Sequence, residues 1–138
     1  MIITDISKYQ DFFHDGDLKK IEHKGNKVIF TMTSAEMAEE DLVTDIKLSN
    51  EDPFTCLRGK LHLEGVRRIF INKKPFKGIL KKEYDNAEIF DLLIEKNEVK
   101  LSIEGTNYAP KADKEDFFVI QIEADKIYWE NIPTLSWD

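Results

Sequence analysis

The chain has 138 residues, of which 41% are hydrophobic and 34% charged, and its formal net charge is −7. That hydrophobic fraction argues against intrinsic disorder, and the length suits a single β-rich domain spanning residues 1–138. The longest apolar runs are much shorter than the roughly 20 residues of a membrane-spanning helix. The N-terminus lacks a basic segment before a long apolar run, and the single Cys56 cannot form an internal disulfide. We therefore expect a cytoplasmic protein that does not enter a membrane.

A short helix is the first predicted element. Asp5 can cap it, and Ile6, Tyr9 and Phe13 recur at the spacing of one helical face. A second helical turn is expected to begin at Ser34, which has the side chain of a capping residue. Neither segment is long enough to dominate the fold.

Two β-hairpins are predicted from turn dipeptides between apolar segments. Gly25-Asn26 and Lys96-Asn97 are residue types that favour tight turns. The strand pairs that they predict are 18–24 with 27–33 and 89–94 with 99–104. Looser turns at Gly65 and at Ala124-Asp125 predict two more pairs. These pairs are 57–64 with 66–71 and 117–123 with 126–130.

Alternation of apolar and polar residues supports the strand predictions. One predicted face of segment 57–64 consists of Leu57, Gly59, Leu61 and Leu63, and the water-facing side consists of Arg58, Lys60, His62 and Glu64. Segment 42–48 alternates in the same way. Antiparallel strands with one buried face show this period of two. The chain is therefore predicted to be mainly β, an antiparallel sandwich or open barrel of about 8–9 strands with one or two short helices.

His14 and Asp15 form the first candidate for a metal ligand or a general base, because an imidazole beside a carboxylate can bind a metal or move a proton. The other histidines, His23 and His62, lie on predicted strands without the spacing of a metal motif. We favour a structural interpretation, in which residues 14–17 are a polar turn and Gly16 adopts the unusual backbone angle.

Other catalytic and cofactor signatures are missing from the sequence. No nucleophile elbow surrounds a serine, and the six glycines are too scattered for a phosphate-binding loop. We predict no cofactor, no metal and no catalytic residue. Because a triad can assemble from distant residues, an enzyme is disfavoured rather than excluded.

Charge is unevenly distributed along the chain. Residues 57–82 carry nine Lys or Arg and one Glu, whereas the remaining residues have a net charge of −15. An acidic surface repels nucleic acid, so we expect no nucleic-acid partner. Arg58, Lys60, Arg67 and Arg68 are candidate anion-binding residues. The alternative is that the basic segment only protects a sheet edge from mispairing.

Aromatic residues near the C-terminus suggest a contact surface. On a strand, Trp129 shares the apolar face with Ile127 and is expected in the core, while Tyr128 points away. The candidate partner-binding residues are Tyr128, Trp137, Glu130 and Asp15. Large aromatic side chains contribute strongly to protein interfaces.

Four segments carry a resemblance to a known group of proteins. They are residues 12–17, the turn at Gly25-Asn26, residues 59–66 and residues 126–130, with the sequences FFHDGD, GN, GKLHLEGV and KIYWE. Their layout resembles small bacterial proteins of unknown function, some of which are grouped with immunity proteins of toxin systems. The resemblance implies a β-rich domain that binds another protein, and it assigns no catalytic residue.

Three functional hypotheses follow from the sequence. The first is a protein-binding module, of which an immunity-type inhibitor is one form, whose acidic surface meets a cationic protein. The second is a small enzyme or ligand-binding protein with a polar pocket around His14, Asp15 and His62. The third is a subunit that associates with itself through its sheets.

Overall fold

The computed structural model describes residues 2–36, 56–107 and 115–135. Within these ranges the chain forms eight strands and one 3₁₀ helix at Ser7–Phe13. The strands are β1 (Ile2–Ile3), β2 (Asp17–Lys24), β3 (Lys27–Thr33), β4 (Arg58–Ile71), β5 (Lys74–Pro75), β6 (Asn86–Glu95), β7 (Glu98–Thr106) and β8 (Glu115–Asn131). The predicted strand 42–48 lies outside the described residues. No helix in the described ranges is long and apolar enough to cross a membrane.

The strands form one antiparallel sheet that closes on itself. Its order is β1-β8-β7-β6-β2-β3-β4-β5, and β8 also pairs with β4. Six strands, β2, β3, β4, β6, β7 and β8, therefore make a closed barrel, with β1 and β5 as short additions. The prediction of a mainly β, antiparallel fold of about eight strands is confirmed.

The barrel closes most weakly between β2 and β6. These strands share one residue pair, Asp17 with Glu88. Two further hydrogen bonds extend the joint, from the Asp15 amide to the Ile89 carbonyl and from the Ile89 amide to the Gly16 carbonyl, both at 2.8 Å. We call this joint the seam.

The barrel interior is a packed apolar core. Trp129 of β8 is fully buried, as predicted, and meets the ring of Phe13 edge-on with 5.4 Å between ring centroids. Ile6, Tyr9 and Phe13 are all buried, which confirms the predicted helical face, although the helix is of the tighter 3₁₀ type. The N-cap residue is Ile6 and not the predicted Asp5, although Asp5 accepts a hydrogen bond from the Ser7 amide at 3.1 Å. Residues 34–36 are not helical, and the rest of the helical turn predicted at Ser34 lies outside the described residues.

Both tight hairpins are confirmed. The turn at Gly25-Asn26 joins β2 to β3, and the turn at Lys96-Asn97 joins β6 to β7. Gly25 and Lys96 have positive φ angles of 60° and 51°. Short hairpin loops require this conformation because it matches the twist of the flanking strands.

The prediction of two looser hairpins is wrong. Strand β4 continues through Gly65, and β8 continues through Ala124-Asp125. Gly65 has a φ of 65° and lies beside a register shift between Val66 and Arg68 in the β4–β8 pairing. A Cβ atom at Gly65 would lie 2.6 Å from a carboxylate oxygen of Asp125. The extra residue of the β-bulge is Arg67, two positions after Gly65, and the bulge bends a continuous strand so that it can wrap around the barrel.

The face assignment on β4 is correct for its apolar side. Leu61 and Leu63 are fully buried, whereas Lys60 and His62 are half-buried on the outer face. The prediction that Arg58 faces water is wrong, since its exposure is 6%. The chain after β8 covers it: the Ile132 amide bonds to the Arg58 carbonyl at 2.8 Å, and the Arg58 guanidinium donates to the Leu135 carbonyl at 3.2 Å.

Replacing Gly59 with alanine is expected to destabilise the barrel by about 1–3 kcal/mol, the usual range for overpacking. A Cβ atom at Gly59 would lie 2.1 Å from the Glu130 carbonyl oxygen and 2.8 Å from the Trp129 ring. The first of these atoms is backbone in a paired strand, so it can move only if the β4–β8 pairing shifts. Urea unfolding of the variant measures the loss, and wild-type stability would contradict this packing.

Candidate functional site

A row of carboxylates crosses the outer wall of the barrel. Asp17 of β2 is paired with Glu88 of β6, Glu88 with Glu104 of β7, and Glu104 with Phe117 of β8. Residues directly opposite each other on antiparallel strands project from the same face, with Cβ atoms about 4.5–5.5 Å apart. Like charges at such positions disfavour each other. Burial raises the pKa of the half-buried Asp17 carboxyl above its usual value, while the nearby positive charges of Lys19 and Lys82 act in the opposite direction.

Two exposed phenylalanines lie beside this row. Phe90 is the extra residue of a β-bulge in β6, between Ile89 and Asp91, and its side chain is 52% exposed. Phe117 is 53% exposed, and the two rings meet edge-on with 5.5 Å between their centroids. Because of the bulge, Phe90 and Asp91 are both exposed in succession, and Leu92 returns to the buried face.

His14 connects the 3₁₀ helix to this bulge. Its Nδ1 atom donates a hydrogen bond to the carbonyl oxygen of Phe90, and its ring lies edge-on to the Phe90 ring at 5.4 Å. This hydrogen bond, followed by the nearby charge of Asp15, raises the pKa of His14 above its usual value. The Asp15 carboxylate lies 3.7 Å from Nε2. His14 therefore satisfies a backbone carbonyl where the β6 ladder is interrupted, which is a structural role.

The turn at residues 14–17 differs from the prediction in one detail. Asp15, not Gly16, has the positive φ angle, at 68°. Gly16 is required for space, because a Cβ atom there would lie 2.2 Å from the Thr33 carbonyl oxygen. The strained backbone of Asp15 presents its carboxylate to solvent beside His14.

These residues surround a surface depression of about 280 Å³, lined by His14, Asp15, Glu88, Ile89, Phe90 and Glu104. None of these lining residues is a lysine or an arginine. We call this depression, together with Asp17 and Phe117, the acidic aromatic patch. Carboxylates beside exposed rings are suited to hold an ammonium or guanidinium group through ion pairing and cation–π attraction.

The polar pocket predicted around His14, Asp15 and His62 does not form as one site in the described residues. His14 and Asp15 share the depression, but His62 lies on the outer face of β4. There its Nε2 atom is 2.8 Å from a Glu130 carboxylate oxygen, and its ring stacks on Tyr128 with 4.7 Å between centroids. The described ranges contain no group of three or more His, Cys, Asp or Glu side chains placed to hold a metal ion.

The candidate partner-binding residues are dispersed. Asp15 belongs to the acidic aromatic patch. Tyr128 and Glu130 lie on β8 beside His62, and the Tyr128 hydroxyl donates to Glu64 at 2.7 Å, which raises the pKa of Tyr128. Their side chains are half-buried and hydrogen-bonded to neighbours on β4. Trp137 lies outside the described residues.

The candidate anion-binding residues separate into two groups. Arg58 is buried under the chain after β8, and Lys60 lies on the outer face of β4. Arg67 and Arg68 lie together at the bulge of β4, where they line a second depression. The structure therefore brings two of the four residues together.

Sequence reasoning did not select Glu88, Phe90, Glu104 or Phe117. The sequence predicts 89–94 as an apolar strand, and the two successive outward residues Phe90 and Asp91 become evident only from the register with β7. The alignment of Asp17 with Glu88 and Glu104 depends on strand register across the barrel.

No protein-family model, curated protein or solved structure matches the chain.

Proposed function

We propose that the chain is a protein-binding module whose acidic aromatic patch recognises a basic segment of another protein. One observation carries this proposal: three carboxylates are paired with one another across the barrel wall beside two exposed phenylalanines. Placing like charges opposite each other destabilises a sheet. Lys19 and Lys82 of the chain itself act on Asp17, and a cationic partner would offset the repulsion at Glu88 and Glu104.

The chemistry of the patch defines the partner further. Exposed phenylalanines supply apolar area at the centre of an interface, while carboxylates at the margin select against anionic competitors. The net charge of −15 outside the basic segment extends the attraction beyond the patch. The expected partner therefore presents Lys or Arg next to apolar side chains.

An immunity-type inhibitor is the specific form of this function that we propose. The sequence resemblance to proteins grouped with toxin immunity supports it, and so does the acidic patch, since an inhibitor of this charge would suit a basic toxin. Inhibition would consist of covering the basic surface that such a toxin uses, without any chemical step on the inhibitor.

The test compares three variants. Glu88→Gln/Glu104→Gln removes charge from the patch, Phe90→Ala/Phe117→Ala removes its rings, and Glu83→Gln/Glu95→Gln makes the same charge change at exposed residues elsewhere. Each is used to capture proteins from a lysate of the source organism, and association and dissociation rates of the recovered protein are measured at low and high salt. We expect the patch charge variant to associate roughly tenfold more slowly at low salt and to lose most of its salt dependence.

The ring variant should instead dissociate faster with little change in salt dependence. Removing the carboxylates should leave urea stability unchanged or raised, because it relieves repulsion. Equal rates for all three variants, or a captured protein without a basic surface, would contradict the proposal. A hydrolytic activity abolished by His14→Ala would favour the enzyme hypothesis.

A further inference from the structure

A groove beside β4 exists because this strand is longer than its neighbour. The β3–β4 pairing ends at Val28 with Leu63, and β5 pairs with β4 only from Phe70 onward. Two hydrogen bonds mark the ends of the interval: the Val66 amide donates to the Asn26 carbonyl at 2.9 Å, and the Phe76 amide donates to the Ile69 carbonyl at 2.8 Å. The groove lies over this interval of the β4 edge.

The groove is large and mainly apolar. Its volume is about 680 Å³, and Val66, Ile69, Phe70, Pro75 and Phe76 line it. Ligand sites in proteins typically have volumes of about 300–1,000 Å³ and apolar walls with a few placed polar groups. Size and lining therefore suit a small organic molecule with an apolar body.

The polar residues of the groove are cationic or hydrogen-bond donors. Arg67, Arg68 and Lys77 line it, and no Asp or Glu is among its described lining residues. Each arginine forms an ion pair through its Nε atom. Arg67 Nε lies 3.1 Å from an Asp125 carboxylate oxygen, and Arg68 Nε lies 3.3 Å from a Glu123 carboxylate oxygen. A guanidinium group has five N–H donors, so an arginine that is paired through Nε keeps its terminal donors for a ligand.

His23 also lines the groove. Its Nδ1 atom accepts a hydrogen bond from the Leu80 amide at 2.9 Å. An imidazole nitrogen that accepts has no proton, so in the neutral ring the proton lies on Nε2. Leu80 is buried, and its hydrogen bond to His23 attaches the segment after β5 to β2. This segment forms one side of the groove.

We infer that this groove binds a small organic anion, with its apolar body against Phe70 and Phe76 and its anionic group beside Arg67 and Arg68. The site is distinct from the acidic aromatic patch and does not depend on the proposed protein partner. It also gives the basic segment a role other than protection of a sheet edge.

Nuclear magnetic resonance titration with 2-naphthoate tests the inference, and 2-naphthamide, which has the same ring system without the charge, is the matched ligand. We expect naphthoate to shift amide resonances in residues 66–70 and 75–78 and to bind at least about tenfold more tightly than the amide, since hydrogen bonds to charged groups are stronger than those to neutral groups. Shifts confined to other parts of the barrel, or equal binding of both ligands, would overturn the inference.

Two variants with opposite expected effects sharpen the test. Arg68→Gln should weaken naphthoate binding about tenfold, because it removes a cation and leaves the Glu123 charge nearby. Glu123→Gln should tighten binding, because it releases the Arg68 guanidinium. Lys60→Gln, which removes a cation from β4 outside the groove, is the control and should leave the affinity unchanged. Arg68 is 68% exposed in its side chain, so its replacement should not disturb folding. An unchanged affinity in Arg68→Gln, or a loss as large in Lys60→Gln, would overturn the assignment.

Discussion

Replacing Trp129 with alanine is expected to destabilise the protein by about 3–5 kcal/mol, the range for truncating a large buried aromatic side chain. Trp129 is fully buried, its ring contacts Phe13, and its indole N–H donates to Asn131 at 3.1 Å. Truncation would leave a large cavity inside the barrel and remove one hydrogen bond to the Asn131 side chain. The loss is large relative to the total stability of a small domain.

Urea unfolding followed by circular dichroism measures this loss. Phe117→Ala is the matched control, because Phe117 is an aromatic residue of the same strand that is 53% exposed. We expect that control to change stability by roughly 0.5 kcal/mol. Similar losses in the two variants would mean that the inward and outward faces of β8 are reversed.

Leu61→Ala is expected to destabilise the protein by about 2–5 kcal/mol, and Lys60→Ala by about 0.5 kcal/mol or less. Leu61 is fully buried, whereas the neighbouring Lys60 is half-buried on the outer face. Because side chains alternate along a strand, these adjacent residues report on opposite faces.

Urea unfolding of both variants at one pH tests the register of β4. A shift of one residue would exchange the two faces, so equal losses would contradict the pairing of Leu61 with Phe30 and Trp129.

The sequence predicts features of the fold that depend on local chemistry. The turns at Gly25-Asn26 and Lys96-Asn97 have residues whose backbone preferences specify a hairpin, and both hairpins form. The inward face of Leu61 and Leu63 follows from alternation alone.

Gly65 shows where this reasoning stops. A glycine with a positive φ angle occurs both in turns and in bulges, and the local sequence does not distinguish them. The choice depends on whether β4 meets a partner on both sides of the glycine. Here β8 is that partner. It pairs with β4 from Gly59, opposite Asn131, to Ile71, opposite Ile120.

The candidate site could be predicted only in part for a related reason. The sequence indicates His14 and Asp15 because a histidine and a carboxylate are adjacent there. Phe90 and Glu104 join them through strand pairing and through a hydrogen bond between residues 76 positions apart. The sequence contains these residues but not the register that brings them together. The burial of Arg58 has the same origin, because Leu135, whose carbonyl accepts its hydrogen bond, lies 77 positions later in the chain.

The seam between β2 and β6 has a consequence for local unfolding. Its single residue pair joins two carboxylate-bearing residues, Asp17 and Glu88, so the weakest junction of the barrel also contains like charges. Regions with few backbone hydrogen bonds open at a smaller free-energy cost than the rest of a domain. A cationic group bound across Asp17 and Glu88 would attract both sides of this junction and resist its opening. Binding of a cation at the acidic aromatic patch would thus slow amide hydrogen exchange at the seam. The patch and the closure of the barrel would then be thermodynamically linked.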